Sequence, residues 1–208
     1  SDEANEQLTA MLKALQEGLR EVLTYGAAQA QRSEALWHHL DDAFAAYGRY
    51  VAHVVAAHPM SCRRGCTACC HDNPRGVTWI ELLRLERALA ASSTDVAEAV
   101  AQARSHYDAW LALRGGEGGA RTRNPVMRAC PLVGPTGDCL AYDARPVACR
   151  MFHAQTPADW CEPGSPHFTL RVNPHLLPHA MCMQLLGALS HAMALPRQTT
   201  LWEGLDAV

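Results

Sequence analysis

The chain has 208 residues, 49% of them hydrophobic and 19% charged, with a formal net charge of −3 at pH 7. That is enough apolar material for one substantial core and too much for a disordered chain. No long run of either sign offers a general nucleic-acid surface or a polybasic membrane anchor, and the most apolar stretch, Ala43 to Ala57, is short and interrupted by Arg49 and His53, so no membrane span is expected.

From Gln7 to Leu23 the apolar residues Leu8, Met11, Leu12, Leu15, Leu19, Val22 and Leu23 recur at helical spacing, which predicts a helix with one buried face. A second such pattern runs through Leu36, Leu40, Phe44, Tyr47, Val51 and Val54 or Val55, and His58-Pro59 ends it, because a residue before proline disfavours the helical region. Thr78-Trp79-Ile80-Glu81 has the form of a capping box that opens a third helix, whose apolar positions are Ile80, Leu82, Leu83, Leu85 and Leu89. Ser92 to Asp95 supply N-caps for a fourth helix that runs to about Leu113 and stops at Gly115-Gly116.

Gly115 to Pro125 reads as a mobile, glycine-rich loop, and the glycines and prolines between Cys130 and Cys149 suit short strands and turns, with a hairpin around Thr136-Gly137. Phe168 to Val172 alternates like a strand, and a last helix covers Pro178 to Ala194. The expected fold is therefore mainly α: a helical domain with cysteine-bearing loops and a few short strands around a metal site. Within it, residues 1–60 form a helical pair packed on the core, 61–154 the cysteine-rich region, and 155–208 a strand and helix completing the same domain.

The cysteines carry the chemistry. Cys62, Cys66, Cys69 and Cys70 fall in one short loop, followed by Cys130, Cys139 and Cys149. Clustered thiolates serve mainly to hold a soft metal such as zinc, with further ligands arriving from a distant segment. Seven thiols exceed one tetrahedral site, so either a multinuclear centre forms or some cysteines stand outside the coordination sphere or are redox-active. Cys-x3-Cys-x2-Cys is also the spacing by which radical SAM enzymes hold a [4Fe-4S] cluster, although Ala68 stands where they place an aromatic and the helical patterns supply no large α/β barrel. Nine cysteines in all are an odd number for a disulfide framework, and Cys69-Cys70 are adjacent, so a reduced, cytoplasmic setting is expected. The chain opens at Ser1 without Met, and a processed N-terminus could hide a leader.

The segment from Cys130-Pro131-Leu132 through Asp138-Cys139-Leu140-Ala141-Tyr142 to Arg145-Pro146-Val147-Ala148-Cys149-Arg150 is the more specific half. Joined to the first loop, it resembles the YkgJ-like cysteine-cluster family of zinc- or iron-chelating proteins. Their pattern is Cys-x3-Cys-x2-Cys-Cys, then Cys-Pro-x-Leu, here with Val133 in the leucine place, then Cys-x-x-Tyr-x-x-Arg-Pro-x-x-Cys-Arg. The resemblance spans Cys62 to His153 and implies metal chelation by the seven matching cysteines. A related arrangement occurs in flagellin lysine methylases, where an iron-sulfur cluster is implied, but no separate methyltransferase segment is present here, and family membership alone supplies no reaction.

Cys161, in a turn setting beside Trp160 and Pro163-Gly164, is a candidate eighth ligand, whereas Cys182 sits among Met181, Met183, Leu185 and Leu186 and reads as a core thiol. Arg63, Arg64, Arg145 and Arg150 can offset thiolate charge, or Arg145 and Arg150 can pair with Asp143 or Asp138 and fix the loop. Tyr142 reads first as a packing residue. His71 and His153 are the histidines nearest the motifs and can complete a mixed site or support it by hydrogen bonding. His38, His39, His175, His179 and His191 are scattered, and neither a His-Glu-x-x-His pattern nor a phosphate-cradling loop is present.

The leading reading is a cytoplasmic metal-binding protein holding zinc or iron, including the [4Fe-4S] option, in a structural, metal-handling or redox role. A metal-dependent enzyme that uses the glycine-rich loop as a lid, and a thiol-disulfide redox protein, are the alternatives. A protein partner could dock on the N-terminal helices; neither nucleic acid nor membrane is expected.

Overall fold

The computed structural model describes residues 2–58, 60–63, 65–71, 75–92, 97–114, 130–151, 153–154, 156–161, 165, 180–196 and 198–207. Helix α1 (Asp2–Tyr25) and helix α3 (Glu34–Ala57) are the two periodic segments read from the sequence, and they lie against each other along their length. Met11, Leu15 and Val22 on α1 are buried with Leu36, Leu40, Phe44, Tyr47 and Val54 on α3. Leu23 departs from expectation and stands 71% exposed. Consecutive helical residues point about 100° apart, so with Val22 turned inward its neighbour faces water.

Between the two lies helix α2 (Ala27–Arg32), which the periodicity did not predict. Gly26, at φ 79°, breaks the chain after α1, and Ser33 restarts it by accepting a hydrogen bond from the Ala35 amide at 3.2 Å. The third expected helix is α4 (Trp79–Ala90), and its capping box forms as read: the Thr78 amide donates to the Glu81 carboxylate at 2.8 Å. Helix α5 (Ala97–Arg114) ends where the Gly115-Gly116 pair predicted. The glycine-rich loop Gly115 to Pro125, the strand expected over Phe168 to Val172, Arg64, His175 and His179 all lie outside the described residues.

The short helix α6 (Val147–Arg150) follows a hairpin whose Val133 and Cys139 form an antiparallel bridge. Its turn closes by a Gly137 amide to Gly134 carbonyl bond of 3.0 Å, with Gly137 at φ 81°, where the sequence placed it. Helix α7 (Ala180–Ala192) packs on both α1 and α4. Its buried Ser190 hydroxyl accepts the Ile80 amide at 3.1 Å and donates to the Leu186 carbonyl, which ties the start of α4 to the helical core.

Helix α7 is not the last element, contrary to expectation. Strand β2 (Gln198–Thr200) pairs antiparallel with β1 (Arg75–Thr78), and helix α8 (Leu201–Ala207) follows. Thr200-Leu201-Trp202-Glu203 has the same form as Thr78-Trp79-Ile80-Glu81, a capping signal at the head of a segment too short to show a periodic pattern. Two strand-to-helix units therefore meet through their strands, and α8 closes on α4 and α5. The approach is tight at Gly204, where a β-carbon would lie 2.2 Å from Leu82 Cδ1. Gly204→Ala is expected to lower stability by about 1–3 kcal/mol, read from a urea unfolding midpoint, because the neighbours are packed and must shift. An unchanged midpoint would show that Leu82 swings aside at no cost.

Extended structure among the described residues is limited to two short strands and isolated bridge residues, so the fold is mainly α. None of the described helices is long and apolar enough to cross a membrane.

Candidate metal centre

Three segments carry the thiols, and main-chain bonds hold them together. The first loop turns at Arg63, whose carbonyl accepts the Cys66 amide at 3.1 Å, with Gly65 in the left-handed region at φ 81°. It then tightens into a 3-10 turn, Ala68–His71, that carries Cys69 and Cys70. The Cys130 amide donates to the Cys70 carbonyl at 2.7 Å, joining the hairpin segment to the loop. A β-carbon on Gly137 would lie 3.7 Å from the Gly65 carbonyl oxygen, so the hairpin tip and the first loop meet at two positive-φ glycines. On the other side, the Ser61 amide donates to the Ala154 carbonyl at 3.0 Å. Residues Ala158–Cys161 form a further 3-10 turn that brings Cys161 back over the loop, where it is only 4% exposed and packs with Ala68, Ala154, Cys62 and Cys66.

Glu81 locks this arrangement from below. It is 2% exposed, and its carboxylate accepts three donors: the Thr78 amide at 2.8 Å, the Thr78 hydroxyl at 2.6 Å and the Val147 amide at 2.7 Å. Val147 opens the helix that carries Cys149, so one side chain sets the start of α4 and the start of α6 together. Burial pushes the Glu81 carboxyl up from its ordinary value, against the pull of those three hydrogen bonds.

The result is a cavity of about 240 Å³ onto which Cys62, Cys66, Cys69, Cys70, Cys130, Cys139, Cys149 and Cys161 all open. Cys182, the ninth, lies instead in the core between α1, α3 and α7, fully buried, its thiol pushed up to about 11 by that burial. None of the nine is joined in a disulfide. Burial also raises the cavity thiols: Cys130 to about 12, Cys149 well above the ordinary range, and Cys139 and Cys62 in the same direction. Opposing this, the Ala154 amide donates to the Cys62 sulfur at 3.0 Å, and the amides of Leu132 and Ala141 donate to the sulfurs of Cys130 and Cys139. These N–H donors favour the thiolate form, as they do around thiolate-bound metals.

Arg145 adds a positive charge that lowers both Cys139 and Cys149. It is held by its Nε bond to the Tyr142 carbonyl at 2.9 Å and by stacking 3.7 Å over the Tyr142 ring, and both residues line the cavity. Arg150 turns the other way, onto α3, where its guanidinium lies 5.6 Å from the Phe44 ring centre, and burial lowers its pKa to about 10. It donates to the carbonyls of Arg145, at 2.8 Å, and Asp143. The two arginines thus brace the turn through main-chain carbonyls, where sequence reasoning had weighed the carboxylates of Asp138 and Asp143.

His153 lines the cavity, and its Nδ1 is buried without a hydrogen-bond partner among the described residues. Burial first and Arg145 second lower its pKa, which favours the neutral imidazole. His71 ends the 3-10 turn beside Cys70, partly buried, and is not among the residues that line the cavity. Sequence reasoning missed Leu201 and Trp202: Leu201 lines the cavity and the Trp202 indole N–H faces the Cys130 sulfur. The overlooked Thr200-x-x-Glu203 cap was the signal that places them.

Eight thiols, amide donors to sulfur and an uncommitted imidazole nitrogen suit a soft or borderline metal and offer little to magnesium or calcium. As the side chains stand, no three His, Cys, Asp or Glu among the described residues converge closely enough to hold an ion. Sulfurs sharing one zinc at 2.3 Å lie about 3.8 Å apart, so loading requires the thiols to rotate inward.

A mainly helical chain that turns eight thiols onto one cavity has the make-up of a cysteine-chelating metal protein. Residues 61–166 match the model of the CxxCxxCC family, described as a putative zinc- or iron-chelating domain; this is half of the chain, and the protein belongs to that family. The match reaches beyond Cys161. No curated protein and no solved structure gives a significant match to the chain. Membership supports metal binding as the general function.

Proposed function

We propose that the protein chelates zinc or iron through the thiols of this cavity, with Cys62, Cys66, Cys69, Cys70, Cys130, Cys139, Cys149 and Cys161 as the donor set, and that the metal ties the three loop segments into one structural unit. The observation that carries this reading is the sorting of the cysteines: every thiol of the two motifs, and Cys161, opens on the cavity, while Cys182 is packed in the helical core. The bound metal supplies Lewis acidity and cross-linking, and an iron centre would add electron transfer. Arg145 and the amides of Leu132, Ala141 and Ala154 stabilise thiolate charge, Tyr142 positions Arg145, and His153 stands by as a nitrogen donor. Arg150 holds the segment on α3, and His71 supports the first loop.

The second reading, a [4Fe-4S] centre with a redox role, is favoured by the spacing of Cys62, Cys66 and Cys69. Anaerobic purification with elemental analysis and a visible spectrum separates the two. Colourless protein with stoichiometric zinc excludes the cluster; brown protein with iron and acid-labile sulfide excludes structural zinc; reduced protein that takes up neither metal overturns the proposal. In the same assay Cys182→Ser is expected to keep the wild-type metal content while losing about 1–2 kcal/mol of stability, because a hydroxyl enters an apolar core. Loss of metal in that variant would show that the cysteines are wrongly divided.

A further inference from the structure

Packing divides the cavity thiols. Cys70, Cys130, Cys139 and Cys149 belong to the apolar group that includes Leu132, Ala141 and Trp202, which therefore holds four sulfurs. Cys62 and Cys66 belong to another, with Cys161, Ala68 and Ala154, which holds three. Closed tetrahedral sites take four donors, commonly four sulfurs or three sulfurs and one imidazole. The second group is one donor short, and the residue next to its Ala154 in the chain is a histidine.

Main-chain bonds hold that histidine, His153, against the first loop. The Ala154 carbonyl accepts the Ser61 amide at 3.0 Å, and the Ala154 amide donates to the Cys62 sulfur at 3.0 Å. From the other end, the His153 amide donates to the Met151 carbonyl at 2.9 Å, in the turn that follows α6. The side chain lines the same cavity as Cys62, Cys66 and Cys161. Its Nδ1 is closed off from solvent and has no hydrogen-bond partner among the described residues, neither a thiol nor a main-chain group. A buried polar nitrogen left in that state costs about 1–3 kcal/mol, a cost that a ligand taking its lone pair removes.

Building on the chelation reading above, we propose that His153 is a metal ligand, its Nδ1 joining the sulfurs of Cys62, Cys66 and Cys161 in a site of three sulfurs and one nitrogen. The imidazole, like the thiols, turns inward on loading. Charge favours the nitrogen: a divalent ion with three thiolates and a neutral imidazole carries about −1, against about −2 with a fourth thiolate, and a partly buried site bears the smaller charge at less cost. Arg63, which follows Cys62 and lines the cavity, balances a single negative charge. The rival for the fourth place is Cys69, on the 3-10 turn Ala68–His71, and spectroscopy separates a sulfur there from a nitrogen.

The test uses the full chain, ¹⁵N-labelled at histidine, reduced and metal-free, loaded anaerobically with ¹¹³Cd²⁺ alone. A cadmium resonance is expected at the shift of three sulfurs and one nitrogen, split by coupling to an imidazole ¹⁵N, and the coupling should persist in His71→Gln. His153→Phe is expected to lose the coupling and to hold that ion about a hundredfold less tightly against a competing chelator, because one ligand is gone. His153→Cys should restore tight binding and move the resonance into the four-sulfur range, a rescue that a packing role would not give. Cadmium bound at four-sulfur shifts alone, with no nitrogen coupling, would overturn His153 as a ligand while leaving chelation intact, and loss of that ion in Cys69→Ser would name Cys69 in its place. Coupling that survives in His153→Phe, or vanishes in His71→Gln, would overturn the assignment in favour of another histidine. Absence of bound cadmium would overturn chelation itself. The wild-type spectrum and His71→Gln decide the matter even if His153→Phe fails to fold.

Discussion

Cys149→Ser is expected to strip at least one metal ion from the protein and to lower its thermal midpoint more than substitution at any thiol outside the cavity. Cys149 lies on α6, a four-residue helix that has little stability alone, and it opens on the cavity beside Cys130, Cys69 and Cys139. Structural zinc sites contribute on the order of 10–16 kcal/mol, or about 3 kcal/mol for each of four ligands, so losing one weakens binding by about two orders of magnitude. The stability falls with it, because metal binding to the folded chain is linked to folding. Elemental analysis and a melting curve on the same sample check both effects. A variant with full metal content and an unchanged midpoint would remove Cys149 from the donor set.

Glu81→Ala is expected to cost about 3 kcal/mol of stability, measured in urea, and to weaken metal binding although Glu81 touches no metal in our reading. Its carboxylate satisfies two amides and one hydroxyl in a site that water does not reach, and each buried donor left without a partner costs about 1–3 kcal/mol. The relief of desolvating a carboxylate offsets part of that sum. Glu81→Gln is the finer probe: its amide keeps a single acceptor oxygen and turns an N–H toward a donor, so it should fall between wild type and alanine. If Glu81→Ala unfolds the α4 end without reducing metal content, the link from α4 to α6 through this side chain is not what positions Cys149.

The helices were legible because they are local. The periodic apolar residues of α1 and α3, the His58-Pro59 stop and the Thr78 cap each act within a few residues, and the observed helices follow them. The hairpin at Gly134 to Gly137 was legible for the same reason, since a left-handed glycine sets the turn by itself. What failed to show was short or long-range. Helices α2 and α8 have six and seven residues, too few for a periodic signal, and α8 is held by a strand pairing between segments more than a hundred residues apart. Leu23 illustrates a subtler miss: its position in the pattern was apolar, but the neighbouring helix covers only the side that Val22 faces.

Among the thiols, the sequence by itself determined the chemistry. A short loop with four cysteines, and a second segment of Cys, Tyr, Arg-Pro and Cys-Arg, name soft donors and a family of metal-chelating domains, because donor type is a property of side chains. Only the tertiary structure decided which thiols look at one another. It folded Cys161 over Cys62 and Cys66, kept Cys182 in the helical core, and turned Arg145 toward the sulfurs and Arg150 onto Phe44. Those outcomes depend on contacts such as Glu81 to Val147 and Ala154 to Cys62, between residues 66 and 92 positions apart. Spacing along a chain cannot encode them, because bringing such distant segments together is paid for by the packing of the whole fold.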